Sequence, residues 1–254
     1  MSISKLEASG PDLRQDPYYE QRVQLACAFR WTARLDMHEA VANHFSLSVN
    51  DGGTRFLINP DGRHFSTIRA GDLLLADARN DRTMEREDAP DPTAWGLHGA
   101  LHRRCPEARC ALHVHSRYAT VLACLEDCTM PPIDQNCARF FNRVAVDTEY
   151  GGMALEDEAE RCVRLLADKR IMLMGNHGVM ITAPSVAQAF DEMFYFERAA
   201  RTLVTAYMTG RSLRVLPDDV AEKTARQWEE FAGYHKHFRE LQKILDEEEP
   251  DYRL

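Results

Sequence analysis

"ARCALHVHSRYAT", residues 108–120, sets two histidines two positions apart inside an apolar run. The run predicts a β-strand over residues 109–115. On a strand, residues i and i+2 point to the same face. His113 and His115 therefore project together, with Leu112 and Val114 on the other side, and their imidazoles can converge on one ion. His235 and His237 share the spacing but sit in a helical stretch. There, two residues rotate a side chain by roughly 200°, so that pair cannot chelate. The strand pair is also compatible with two polar side chains lining a cleft. A third histidine bears on the choice. "MLMGNHGVMI", residues 172–181, holds His177 between glycines in a turn joining two apolar strands. Those glycines let the backbone approach closely and leave the imidazole unobstructed. A turn histidine bonded to nearby backbone fits the same pattern. Three neutral imidazoles suit Zn²⁺, and also Mn²⁺, Fe²⁺ or Co²⁺. A three-ligand set leaves coordination positions open, as catalytic sites do.

Outward from this centre, strands and helices interleave. The first fifteen residues are polar and read as a frayed end, and residues 17–35 as a helix. Phe56-Leu57-Ile58 is a strand running into the turn Asn59-Pro60-Asp61-Gly62, and Leu73 to Ala76 is another strand. A polar loop, 77–90, precedes a helix that Asp91 can cap and Pro92 can open, running through Trp95, His98 and His102 and stopping before Pro106. Residues 118–126 read as a helix, Phe140 to Val146 as a strand, and Glu156 to Asp168 as an amphipathic helix. A strand–turn–strand unit over 171–181 leads into a long helix from Ala183-Pro184 to near Gly210. Residues 217–246 read as one charged helix, and "LDEEEPDYRL" as a solvated acidic tail. The pattern predicts one α/β domain with a mixed sheet over residues 1–254, with 211–254 as a helical extension.

The bulk numbers exclude several function classes. A net charge of −9 argues against a nucleic-acid or acidic-membrane binder, because both need a basic face. No apolar run approaches bilayer length, and the N-terminus has no apolar signal region. Seven cysteines without a C-x-x-C pair read as free thiols of a reducing, cytoplasmic compartment.

Five stretches together resemble the class II aldolase/adducin superfamily: "ANHFSLSV" (42–49), "RFLINPDGRHFS" (55–66), "TAWGLHGALHRRCPEARCALHVHS" (93–116), "MLMGNHGV" (172–179) and "VAQAFDEMFYFERAA" (186–200). The resemblance runs from about residue 17 to residue 210. It implies a three-layer α/β/α domain with a central mixed, mainly antiparallel sheet. It maps three metal-binding histidines, usually zinc ligands, onto His113, His115 and His177. It also implies a homo-oligomer, dimer or tetramer.

The chain departs from the sugar-phosphate aldolases in that family. The position matching their proton-moving glutamate is Ala94, which can neither bind metal nor carry a proton. The position matching a second proton mover, a tyrosine of fuculose phosphate aldolase, is Gln135. Of the matching phosphate-pocket positions, Asn43, Gly62 and Thr93 could serve a substrate, but Asp61 would repel a phosphate and Pro92 lacks a donor. Three readings follow. The first is a metal-dependent carbon–carbon lyase on a small oxygenated keto or hydroxy acid. Decarboxylation suits it better than aldol cleavage, because it needs no base to start, only a proton donor to finish. His98, His102, Glu149 and Tyr150 are the donor candidates, and Arg139 and Arg143 could hold a carboxylate. The second is an adducin-like interaction module with a vestigial or structural metal. The third is an aldolase whose base comes from elsewhere, for instance Glu149.

Overall fold

The computed structural model describes residues 13–152 and 158–254. Helices α1 (Tyr19–Arg34), α2 (Pro92–Arg104), α3 (Arg117–Ala123), α4 (Gln135–Arg139), α5 (Glu158–Leu166), α6 (Val186–Met208), α7 (Asp218–Phe231) and α8 (Tyr234–Glu248) alternate with strands. The strands are β1 (His44–Ser48), β2 (Arg55–Ile58), β3 (Leu74–Asp77), β4 (Cys110–Val114), β5 (Val144–Asp147), β6 (Ile171–Met174) and β7 (Gly178–Ala183). They form one sheet in the order β3-β2-β1-β4-β7-β6-β5. Among the described residues only the β5–β6 edge pair is parallel, so the sheet is mixed and mainly antiparallel, as expected.

The faces of the sheet follow from the alternation along each strand. Cys110, Leu112 and Val114 of β4 join Phe45, Leu173, Ile181, Phe29 of α1 and Phe190 and Phe196 of α6 in the main core. Ala111 of β4 points the other way and packs with Met172, Met174 and Met180 under Leu97 and Leu101 of α2. Three layers result, with α2 and α5 on one face and α1, α3 and α6 on the other. Asp91 starts α2 as expected, its carboxylate accepting from the backbone N–H groups of Thr93 (2.8 Å) and Ala94 (3.2 Å).

Three expectations need correction. The strand expected over Phe140 to Val146 is confined to Val144–Asp147. Asp134 caps α4 through the Cys137 N–H (2.7 Å), and Phe140 lies at the end of that helix. The single helix expected over 217–246 is two helices, broken where Ala232 adopts a left-handed backbone (φ 47°) beside Gly233. The acidic C-terminus is not a solvated tail. The guanidinium of Arg30, buried on α1, donates to Glu249 (3.0 Å) and Asp251 (2.9 Å), and Arg34 donates to Glu248 (2.7 Å). Tyr252 is fully buried, with its hydroxyl donating to Asp246 (2.8 Å), and the Gly71 N–H donates to the Leu254 carbonyl (2.7 Å). The carboxylates that look solvated in sequence neutralise a pair of arginines some 215 residues upstream.

Tyr252→Ala is expected to lower the unfolding free energy by about 3–5 kcal/mol, the usual cost of deleting a buried aromatic ring. Urea denaturation checks this. A loss below about 1 kcal/mol would show that the docked C-terminus contributes little.

Candidate metal centre

His113 is the fourth residue of β4 and projects on the α2 side of the sheet, and His115 follows just beyond the strand's last residue. His177 stands in the turn between β6 and β7. That turn needs its glycines. A Cβ on Gly178 would lie 2.6 Å from the Val114 carbonyl oxygen, and one on Gly175 would lie 2.6 Å from that of Asp147. The close approach brings His177 to the pair, and one nitrogen from each of the three rings lies within 4.8 Å of the others.

Hydrogen bonding fixes which nitrogens are bare. Nδ1 of His113 faces the Val179 carbonyl (3.2 Å), so it carries the proton and donates it. Nδ1 of His115 donates to the Glu39 carboxylate (2.5 Å). Nε2 of His113 and Nε2 of His115 then face each other at 3.0 Å. Two nitrogen lone pairs at that distance repel, and a shared proton or a cation between them removes the conflict. Burial, reinforced by the neighbouring histidines His44 and His177, holds His113 well below the usual histidine range. Burial and then His115 depress His177 to about 4. Neutral imidazoles are the form that ligates a metal, so the burial of His113 and His177 beside His115 fits a divalent ion.

Outer groups hold this set in place. The Asn43 side-chain oxygen accepts from the backbone N–H groups of Glu39 (2.7 Å) and His115 (3.4 Å), tying Glu39 to its histidine. Among the described residues, Asn43 Nδ2 is buried without a hydrogen-bond partner. Glu197 of α6 accepts from the Ser116 hydroxyl (2.7 Å) and the N–H groups of Tyr118 (2.9 Å) and Ala119 (3.0 Å). It anchors the chain directly after His115. On the β5 side, Asp147 pairs with Arg161 (3.0 Å) and accepts from the Glu149 N–H (3.0 Å). The exposed Tyr150 ring then stands 6.4 Å from the His177 ring, centroid to centroid.

Behind the triad lies a buried polar chain. Nδ1 of His44 meets Nε2 of His98 at 2.6 Å. Nδ1 of His98 meets the Ser46 hydroxyl, which also meets Nε2 of His102 at 2.7 Å. Nδ1 of His102 donates to the Ala108 carbonyl (2.7 Å). Burial lowers His44 and His102 to about 4 and pushes His98 well down.

The structure thus gathers His113, His115, His177, Asn43 and Tyr150, with Glu149 one residue from Tyr150. His98 reaches the triad through His44. The Thr93 hydroxyl is engaged by Asp91, and Gly62 sits in its turn with φ 68°. Gln135 lies instead with Thr224, Gln227, Trp228 and Phe231. Ala94 is buried among Phe56, Ile58, Leu74 and Ala76. Arg139 is committed to Asp191 (2.7 Å), and Arg143 to Glu229 (3.1 Å) and Glu222. Arg143 precedes β5, at the end of the strand remote from Asp147, so neither arginine is placed to hold a substrate at the histidines. Sequence reasoning missed Glu39, His44, Ser46 and Glu197. For His44 and Ser46 the signal was present, since they alternate on one strand as the H-x-H pair does.

A three-layer fold with an open three-histidine centre at the end of its middle strand defines a class II aldolase-like protein. The family model for the class II aldolase and adducin N-terminal domain matches residues 23–204, and the chain belongs to that family. An aldolase II superfamily protein from Pseudomonas syringae has the same fold, with a TM-score of 0.84 and 28% identity over 97% of this chain and 98% of that one. Decarboxylase NovR of Streptomyces niveus is 25% identical over 84% of this chain and 78% of that protein. An adducin-related protein of Schizosaccharomyces pombe is 26% identical over 91% of this chain and 76% of that protein.

The lowered His98 and His102 make stability depend on pH. Unfolded, both titrate near 6.5. Folded, they stay neutral to a lower pH, His102 to about 4. The unfolded chain therefore binds more protons below about pH 6.5, and stability falls as pH drops through that window. The thermal midpoint of the metal-free protein is expected to hold level above pH 7 and to decline from pH 6.5 towards 5, where most carboxylates are still ionised. A level midpoint down to pH 5 would contradict the buried neutral chain.

Proposed function

We propose that this protein is a divalent-metal-dependent carbon–carbon lyase of the decarboxylase type, acting on a small oxygenated keto or hydroxy acid. The observation that carries the reading is the pair of bare Nε2 atoms 3.0 Å apart, completed by His177. Three imidazoles fill three positions and leave the rest for substrate. The similarity to decarboxylase NovR supports the reaction type. Zinc suits the donors, and manganese, iron or cobalt are compatible with them.

A divalent ion held by His113, His115 and His177 would supply Lewis acidity for the electron pair released with carbon dioxide. The remaining work falls to the chain. Glu39 and the Val179 carbonyl hold two ligand rings in the tautomer that presents Nε2. Asn43 Nδ2, buried and unpartnered among the described residues, is a donor available to a substrate oxygen. Tyr150, on an exposed ring beside His177, returns a proton to the carbon that lost the carboxylate, with Glu149 as the neighbouring alternative. Assembly into a dimer or tetramer would cover exposed apolar residues such as Met208 and Phe231.

A second reading is an adducin-like interaction module with a structural metal. Ala94, packed in an apolar cluster where the family's aldolases place a glutamate, favours it. Elemental analysis with a thermal melt separates the two. The lyase reading expects near-stoichiometric metal that a His113→Ala/His115→Ala variant loses, with little change in the melt. A melt that collapses with the metal would favour the module, and no metal uptake after zinc is supplied would overturn the lyase reading. Tyr150→Phe is expected to slow carbon dioxide release by about 10²–10⁴-fold with metal content unchanged, the usual range for losing a general acid. An unchanged rate would remove Tyr150 from that role.

A further inference from the structure

The buried chain behind the triad has a direction that can be read from one end. The Ala108 carbonyl can only accept, so Nδ1 of His102 holds that ring's proton. His102 is buried and neutral, so its Nε2 is bare and must receive the Ser46 hydroxyl proton. Ser46 has one proton to give. Its oxygen therefore accepts from Nδ1–H of His98, and Nε2 of the neutral His98 is bare in turn. That nitrogen accepts from Nδ1–H of His44, 2.6 Å away. His44 is left with a bare Nε2. No other assignment satisfies every bond while all three rings remain neutral.

His44 pairs with His113 across the β1–β4 ladder, so both rings stand on one face of the sheet, centroids 4.8 Å apart. We propose that the chain Ala108–His102–Ser46–His98 is a tautomer lock that holds His44 Nε2 as a hydrogen-bond acceptor beside the metal centre, selecting a substrate with a hydroxyl over one with a carbonyl at that position. A hydroxyl donates to a bare nitrogen, whereas a carbonyl oxygen would set two lone pairs against each other. His44 is the specificity-determining residue, and His98, Ser46 and His102 position it. The inference rests on the lyase reading for its substrate and adds a hydroxyl facing His44 to a keto acid, whose carbonyl takes the electron pair when carbon dioxide leaves.

The test has two arms on the full chain. Two-bond proton–nitrogen correlation spectra of the ¹⁵N-histidine-labelled, metal-free protein read each ring's tautomer, with a His44→Phe variant assigning the His44 signals. The expected result is a proton on Nδ1 and a bare Nε2. A proton on Nε2 would overturn the proposal whether or not the protein has activity. The second arm measures lactate and pyruvate binding to the zinc-loaded protein. His44→Phe is expected to weaken lactate about two- to tenfold, the worth of one hydrogen bond. Pyruvate binding should tighten, because the opposing lone pair is gone, with zinc content retained. Equal weakening of both acids, or lost zinc, would overturn the selective role. Failure to take up zinc at all would sink the lyase reading, and the tautomer would still decide the lock.

Discussion

The register of β4 between β1 and β7 is the constraint on which the centre depends. His113 sits opposite His44 on one side and Met180 on the other. A slip of one residue against either neighbour would turn His113 into the main core and Leu112 towards α2, because side chains alternate with a period of two. Burial of Leu112 and Val114 against α1 and α6 makes that slip costly. The apolar face of β4 thus places the polar one. The turn after β6 adds His177 through two glycines that side chains could not replace without displacing the β4 and β5 carbonyls.

Much of this was legible in sequence because it is local. The H-x-H alternation, the Gly-Asn-His-Gly turn and the Asp91-Pro92 helix start all act within a few residues. What stayed hidden depends on pairs far apart in the chain. The carboxylates after residue 247 resemble a solvated run until Arg30 and Arg34 arrive from α1. Glu39 is a surface carboxylate until β4 brings His115 to it, 76 residues on. His44 and Ser46 were readable as one strand face, but their partners lie on α2, more than fifty residues away. The break at Ala232 left no strong breaker in sequence beyond the single Gly233 that follows it.

The helix behind the centre joins an apolar contact to a buried polar network. Ala94 of α2 is buried in a cluster with Phe56, Ile58 and Leu74. One turn further along the same helix, His98 enters a polar chain that engages both of its ring nitrogens. Buried polar groups are tolerable when every member is satisfied. Here the bonds end on a backbone carbonyl at one side and on His44 at the other. The polar side of α2 therefore supports the histidine face of the sheet without contributing a metal-binding carboxylate.

Whether the three imidazoles form an open metal site is read by X-ray absorption at the metal edge of the zinc-reconstituted protein. Three imidazole nitrogens at about 2.0–2.1 Å completed by light oxygen donors are expected. A closed four-ligand shell including thiolate, or zinc bound without imidazole scattering, would contradict an open site.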